Sequence, residues 1–389
     1  MEGEKELVED QLVQEKVLEE KVAKLRIQPG LNDPKSLEVV FELFSVWIGL
    51  YRLNKTDQLL QEVLPFCEQL GGTWHIKGIQ MLGFCRWKQY RYADALELFH
   101  KMEGLVGSSA ALCENIGHTY SSMGNLDKAE KYFTDALELS RKEKDDRGAE
   151  AEGNTGGILL GLGLIKDRQN KVAESLPVLQ QALEWYQNKF GAVAASLVAK
   201  AHMSVGKAHE KLDALAEAEH HFREALRIFI VTCGDDSPLS AGAMASLGKV
   251  LFRMQQLSEA QKHLKGAVAL EATKDSVHLQ TVFELLTIIM ELHTKDAKHL
   301  DRSEFKQYVP IIRDATENMR IQGQPEDGDY GAFCKSAGEF CALAASYQEA
   351  EGYLTKAIEL FSKVTEIDCT HLTQTCNALL VFVQSQSRS

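Results

Sequence analysis

Apolar positions along most of the chain recur three or four residues apart with polar positions between them, a spacing that predicts helices and no strands. The stretch SLEVVFELFSVWIGLYRL (36–53) has this pattern; a turn is expected at Asn54–Asp57, then a second helix through QLLQEVLPFCEQL (58–70). Residues 1–27 read as an amphipathic, strongly acidic helix with Leu12, Leu18, Val22 and Leu25 on one side. It joins the rest through QPGLNDP (28–34) and is expected to fold back or to pair with a partner helix. HLTQTCNALLVFVQ (371–384) reads as a final helix.

The helices repeat on a fixed ruler. From Gly117, twelve residues lead to Ala129, four more to Phe133 and three more to Ala136. The same offsets give Gly206, Ala218, Phe222, Ala225, then Gly248, Ala260, Leu264, Ala267, and Gly338, Ala350, Leu354, Ala357. Gly83, Ala95, Phe99, Met102 and Gly163, Ser175, Leu179, Ala182 are looser copies, and Gly49 marks a degenerate first one. Small residues are needed where two antiparallel helices touch backbone to backbone, and the large residue fills the groove beside them. Each unit is thus helix, turn, helix, and none can bury its apolar face alone. The interval from Gly248 to Gly338 holds room for two units, which places a worn repeat at roughly 276–320.

CENIGHTYSSMGNLDKAEKYFTDALEL (113–139) resembles a tetratricopeptide repeat, and the longer later units, with TCGDDSPLSAGAMASLGKVL (232–251), resemble the kinesin-light-chain subtype. The resemblance implies an all-α fold, a right-handed superhelical α-solenoid of about eight units with a C-terminal capping helix. The expected divisions are an acidic helix and linker (1–35), an N-terminal repeat block (36–140) and a charged joint (141–155). A C-terminal block of longer period (156–362) and the cap and tail (363–389) follow.

GNTGGILLGLGLIKDR (153–168) tests a rival reading. A phosphate loop needs GxxxxGK[ST] between a strand and a helix, and neither that spacing nor GxGxxG occurs here. The segment instead falls in a repeat's first helix. Each helical glycine costs about 0.8–1.0 kcal/mol relative to alanine, so it is either a flexible joint or a place of close helix packing. Pro177 is expected to interrupt the helix that follows.

Composition narrows the chemistry further. The net charge of −13 disfavours nucleic acid and anionic membrane as bulk partners. No apolar run is long enough to span a membrane, and the acidic start is unlike a secretory signal. Eight scattered cysteines without CxxC suit reduced thiols and a cytoplasmic setting, with cytoskeletal or ciliary association as an extension. His202/His209, His220–His221 and Cys369 with His371 lack the spacing of a metal site, and no catalytic signature is present. The expectation is a non-enzyme with no cofactor, metal or small-molecule substrate.

In tetratricopeptide proteins the first helix of each unit lines a concave groove, and the resemblance implies a groove here. Its candidate partner-binding residues are Lys77, Phe84, Trp87, Lys88, Asn115, Arg168, Lys200, Lys207, Lys211, Lys249, Phe252 and Arg253, with Gln80, Met81, Glu114, His118, Ser122, Ser204 and Ser246 beside them. The lysines and arginines form a basic stripe that suits acidic peptide segments, and the aromatics suit apolar anchors. A chaperone-tail clamp is disfavoured: Asn115 fits one place, but Gln80, Phe84, Gly157 and Gly161 stand where its other polar groups belong. The expected function is a protein-interaction scaffold or adaptor; the alternative is a fixed structural subunit of a large assembly, contacting partners through convex and edge surfaces. Residues 1–24, with eight Asp or Glu and four Lys, suggest an internal competitor for the groove, so deleting residues 1–28 should raise affinity for an acidic ligand.

Overall fold

The computed structural model describes residues 2–27, 30–147, 154–190, 195–272, 290, 305–306, 308–321, 328–363 and 369–387. Among these the ordered elements are helices: α1 Glu2–Ile27, α2 Pro34–Gly49, α3 Leu53–Leu70, α4 Gly72–Lys88, α5 Tyr92–Val106, α6 Ala110–Ser122, α7 Leu126–Arg147, α8 Thr155–Arg168, α9 Val172–Phe190 and α10 Ala195–Lys211. They continue with α11 Leu215–Cys233, α12 Pro238–Arg253, α13 Leu257–Ala272, α14 Val309–Ile321, α15 Gly328–Leu343, α16 Tyr347–Lys363 and α17 Thr370–Ser387. Consecutive helices pack in pairs, as in a tetratricopeptide solenoid. The chain divides into two compact units, Met1–Ala214 and Leu215–Ser389.

The ruler marks real contacts. A β-carbon on the ruler glycine would lie 2.6 Å from Phe99 at Gly83, 3.1 Å from Phe133 at Gly117, 2.5 Å from Leu179 at Gly163, 2.6 Å from Leu264 at Gly248 and 2.7 Å from Leu354 at Gly338. In each case the neighbour is the large residue sixteen places on. The small residue opens the second helix: Ala95, Ala129, Ala260 and Ala350 donate their N–H to the carbonyl four residues earlier, at Arg91, Asn125, Gln256 and Ser346. Where Ser175 replaces alanine, its hydroxyl donates to the Gly163 carbonyl at 2.7 Å, so the buried polar group is satisfied.

The turns share a feature that residue identity hides. Tyr51, Tyr90, Asn170, Asp213, Gln255 and Ala345 have φ between 54° and 64°, and Gly124 has 78°. Each stands seven residues after the ruler position. This register also locates the first copy: Tyr51 points back to Phe44 rather than Gly49. Thr56, Leu60 and Val63, all buried, follow Phe44 at the ruler offsets. The turn accordingly falls at 50–52, ahead of the expected Asn54–Asp57, and Gly49 merely ends α2.

The worn repeat is located by a salt bridge. Arg223, next to Phe222, donates to Glu259, next to Ala260, at 2.9 Å. Arg313 donates to Glu349 across the same 36-residue interval and at the same distance. Ile312, buried, therefore takes the place of Phe222, and α14 is that repeat's second helix. Of the rest of the 276–320 expectation only residues 290, 305–306 and 308 are described, with Phe305 and Tyr308 buried, and the others lie outside the described residues.

At its other end the chain folds back. Leu18 and Val22 of α1 join Leu37, Val40, Phe44 and Leu60 in one core. Glu15 and Glu19 pair with Arg52 and Lys55, and Arg26 with Glu62. The apolar stripe of α1 is thus part of the first repeat.

The glycine-rich segment is close packing. Asn154 caps α8, accepting from the Gly157 N–H at 3.1 Å. A β-carbon at Gly156 would lie 2.3 Å from Trp185, and one at Gly161 would lie 2.4 Å from Phe133. Phe133 therefore sits between the glycine of its own repeat, Gly117, and Gly161 of the next. The charged stretch from 141 does not break the helix either, since α7 runs to Arg147. Pro177 leaves α9 unbroken. Lying in the second turn, it removes one N–H from the ladder near the helix start, where the disruption is smallest.

Candidate functional site

Four helices of the first unit surround a cavity of about 440 Å³. Its walls are Ser45 and Ile48 of α2, Met81, Phe84, Trp87 and Lys88 of α4, Phe99 of α5, and Asn115 and His118 of α6. The ruler explains this placement. Gly83 brings α4 against Phe99, and Met81 and Phe84, three residues apart and both half-buried, line the cavity from α4. Phe84 meets Phe99 edge-on at 5.8 Å, so the apolar wall is held in place.

The polar groups sit on this frame. Lys88 Nζ stands 4.8 Å from the Tyr51 ring and 5.6 Å from the Trp87 ring, and it donates to the Tyr51 hydroxyl at 3.4 Å. The His118 ring stands edge-on to Phe133 at 4.9 Å, with Nε2 3.9 Å from Glu114. The Trp87 indole N–H is buried and has no acceptor among the described residues. The site thus offers an apolar floor, one cation and a set of amide, imidazole and indole donors. That equipment suits a side-chain anchor with an acceptor or carboxylate beside it, and it includes no nucleophile–base pair.

Of the residues expected from sequence, the cavity brings together Phe84, Trp87, Lys88 and Asn115, with Met81 and His118. Ser45, Ile48 and Phe99 were missed: α2 carries no ruler glycine, and the ruler marks Phe99 as interior. Lys77 stands away from the cavity, over the Trp74 ring at 5.0 Å. Among the stripe's cations, Arg168 and Lys211 are engaged by neighbouring repeats. Arg168 donates to the Ser121 carbonyl and hydroxyl, at 3.0 and 2.6 Å, tying the end of α8 to the end of α6. Lys211 donates to both carboxylate oxygens of Asp167 at 2.8 and 2.7 Å. Lys200 and Lys207 are exposed on α10. In the second unit, α12 carries Lys249 and Phe252 half-buried and Arg253 exposed.

Elsewhere the titratable groups serve packing. Burial pushes the thiols of Cys85 and Cys113 up to about 11 and that of Cys341 up to about 12. Glu130 moves the other way, down to about 2, because Lys166 donates to it at 2.8 Å, with Lys171 adding a second bond at 3.1 Å. Among the described residues no cluster of three or more His, Cys, Asp or Glu is placed to hold a metal, and no helix is long and apolar enough to cross a membrane.

Models of the tetratricopeptide repeat match residues 110–143 and 197–270. No curated protein matches the sequence. Among solved structures, the apo form of RapI overlays with a TM-score of 0.54 at 14% identity, covering 90% of this chain and 97% of that one. The apo form of the quorum sensor NprR from B. thuringiensis also gives 0.54 at 14% identity, covering 98% of this chain and 99% of that one. At such identity the likeness is one of fold.

Proposed function

We propose that the chain is a tetratricopeptide-repeat protein acting as a non-enzymatic protein-interaction scaffold, whose first unit holds a partner's peptide segment in the cavity between α4 and α6. The observation that carries this reading is the pairing of an apolar wall with Lys88, Asn115 and His118 on adjacent first helices. A partner segment places an apolar side chain against Met81, Phe84 and Trp87 and an acidic group toward Lys88. Lys200 and Lys207 on α10 extend the attraction for acidic residues. Lys249, Phe252 and Arg253 are a corresponding set on α12. The longer period of the later repeats supports the light-chain subtype, and a reducing cytoplasmic setting suits the buried free cysteines.

The test is titration of the full-length protein with fluorescent peptides that combine an aromatic residue with several Asp or Glu. Lys88→Glu should weaken binding about tenfold, and added salt should weaken the wild type in parallel. Asn115→Ala should weaken it less, because only one neutral hydrogen bond is removed. Binding that is indifferent to Lys88→Glu and to salt would remove this cavity as the site.

A further inference from the structure

We propose that Tyr51 is a ligand-binding residue on the rim of the cavity, its hydroxyl holding, together with Lys88, one side-chain carboxylate of the partner segment. The inference rests on the reading of the cavity as a peptide site, and adds to it a second donor and the group that the pair selects. Backbone conformation points to it first. The turns at Tyr51 and Tyr90 hold tyrosine at φ 54° and 61°, where other repeats place Gly124, Asn170, Asp213, Gln255 and Ala345. A bulky aromatic in that conformation is strained. Burial does not offset the strain, for Tyr51 is 66% exposed and Tyr90 79%. A strained side chain left in solvent points to function rather than to packing.

The two tyrosines differ in what they touch. Tyr51 follows Ile48, which lines the cavity from the end of α2 and whose carbonyl accepts the Tyr51 N–H at 3.3 Å. The Tyr51 ring lies 4.8 Å from Lys88 Nζ, and Lys88 donates to its hydroxyl at 3.4 Å. Tyr90 instead meets the Tyr92 ring edge-on at 6.2 Å, and its hydroxyl has no hydrogen bond among the described residues.

Donor and acceptor counts say what the Tyr51–Lys88 pair takes. A phenol has one proton to donate besides the lone pairs with which it accepts. In accepting from Lys88, Tyr51 keeps that proton, and no described residue accepts it. Lys88 contacts the Tyr51 and Trp87 rings and has no carboxylate partner among the described residues. Two donors this close suit the two oxygens of a carboxylate, which only accepts, and the ammonium balances its single charge. An amide fits less well, because its NH₂ turns a donor toward donors. The bond from the phenol to a carboxylate is charge-assisted and so stronger than a neutral one. Asp or Glu is thereby selected over Asn or Gln at the place beside the apolar anchor.

Titration of the full-length protein with a fluorescent peptide of one Trp among several Asp, amidated at its C-terminus, tests this. Variants of the peptide with a single Asp replaced by Asn identify the contacting residue as the one whose loss abolishes sensitivity to Lys88→Ala. Tyr51→Phe keeps the ring beside Lys88 and removes only the hydroxyl. It should weaken the acidic peptide about fivefold and the matching Asn peptide by less than about twofold. Because the hydroxyl donates in its own right, Tyr51→Phe should still weaken the acidic peptide about threefold in a Lys88→Ala protein. Tyr90→Phe, the control, should change neither. Tyr51→Gly should weaken binding while melting stays at or above the wild-type value, which separates lost affinity from a lost fold. Equal losses for both peptides, no effect of Tyr51→Phe once Lys88 is replaced, or binding only with a free C-terminal carboxylate would each overturn the assignment. These failures leave the response to Lys88→Glu intact, whereas indifference to Lys88→Glu removes the cavity as the site and Tyr51 with it.

Discussion

Replacing Gly161 with alanine separates a soft joint from a packed contact by the sign of its effect. Helix propensity alone favours alanine by about 0.8–1.0 kcal/mol. Packing opposes it: the new β-carbon would lie 2.4 Å from Phe133 Cε1 and 2.7 Å from Cζ, far inside the contact distance of about 3.5–4.0 Å. The ring has little room to retreat. It is fully buried, a β-carbon at Gly117 would already be 3.1 Å from its other edge, and His118 stands edge-on at 4.9 Å. Overpacking of this kind costs about 1–3 kcal/mol, so the balance is a destabilisation of up to about 2 kcal/mol. Gly352→Ala is the control, since that glycine is exposed on α16 and a β-carbon there meets nothing within 4 Å. It should stabilise by about 0.8–1.0 kcal/mol. Urea unfolding followed by circular dichroism reads both, and Gly161→Ala combined with Phe133→Leu should recover part of the loss because the clashing ring edge is gone. If Gly161→Ala stabilises the protein as Gly352→Ala does, the packing account of the glycine-rich helix is wrong.

Three other outcomes follow from the same contacts. Gly124→Ala should lower stability by about 1 kcal/mol, whereas Ala345→Gly should raise it by up to about 1 kcal/mol, because both positions have positive φ; thermal melting of the two variants checks the opposite signs. Glu130, held at about 2 in the folded protein against an ordinary value of 4.5, contributes stability that is fully present above pH 4.5 and is lost as pH falls toward 2; Glu130→Gln should flatten the acid side of the stability–pH curve over that window. Lys211→Ala, which removes the bridge from exposed Lys211 to half-buried Asp167, should cost at most about 1 kcal/mol and leave peptide affinity unchanged, while Lys207→Glu should weaken acidic peptides with little effect on melting.

What was legible in the sequence is whatever the contacts require of residue identity. Close approach at Gly83, Gly117, Gly163, Gly248 and Gly338 tolerates almost nothing larger, so those glycines and their partners sixteen residues on stand out at fixed offsets. Where the helices sit farther apart the ruler fades: Phe44 fills the first copy's glycine place, and Gly49 is a helix end. The turn is the opposite case. Its positive φ is the most regular feature of the fold, yet Tyr, Asn, Asp, Gln, Ala and Gly all occupy it, because the backbone bears the same local strain whichever side chain points to solvent. The candidate site falls between these cases. Phe84, Trp87, Lys88 and Asn115 could be placed by counting along first helices, since the ruler sets which face is turned away from the partner helix. Ser45 and Ile48 could not, lying on a helix whose ruler residue is aromatic. Arg168 and Lys211 share the face of the exposed lysines in sequence, but each has an acceptor from a neighbouring repeat within reach, and helical spacing within one segment carries no trace of that acceptor. Short-range periodicity therefore locates a groove face, while the charge available on it depends on contacts some 40 residues away, such as Lys211 with Asp167 across 44.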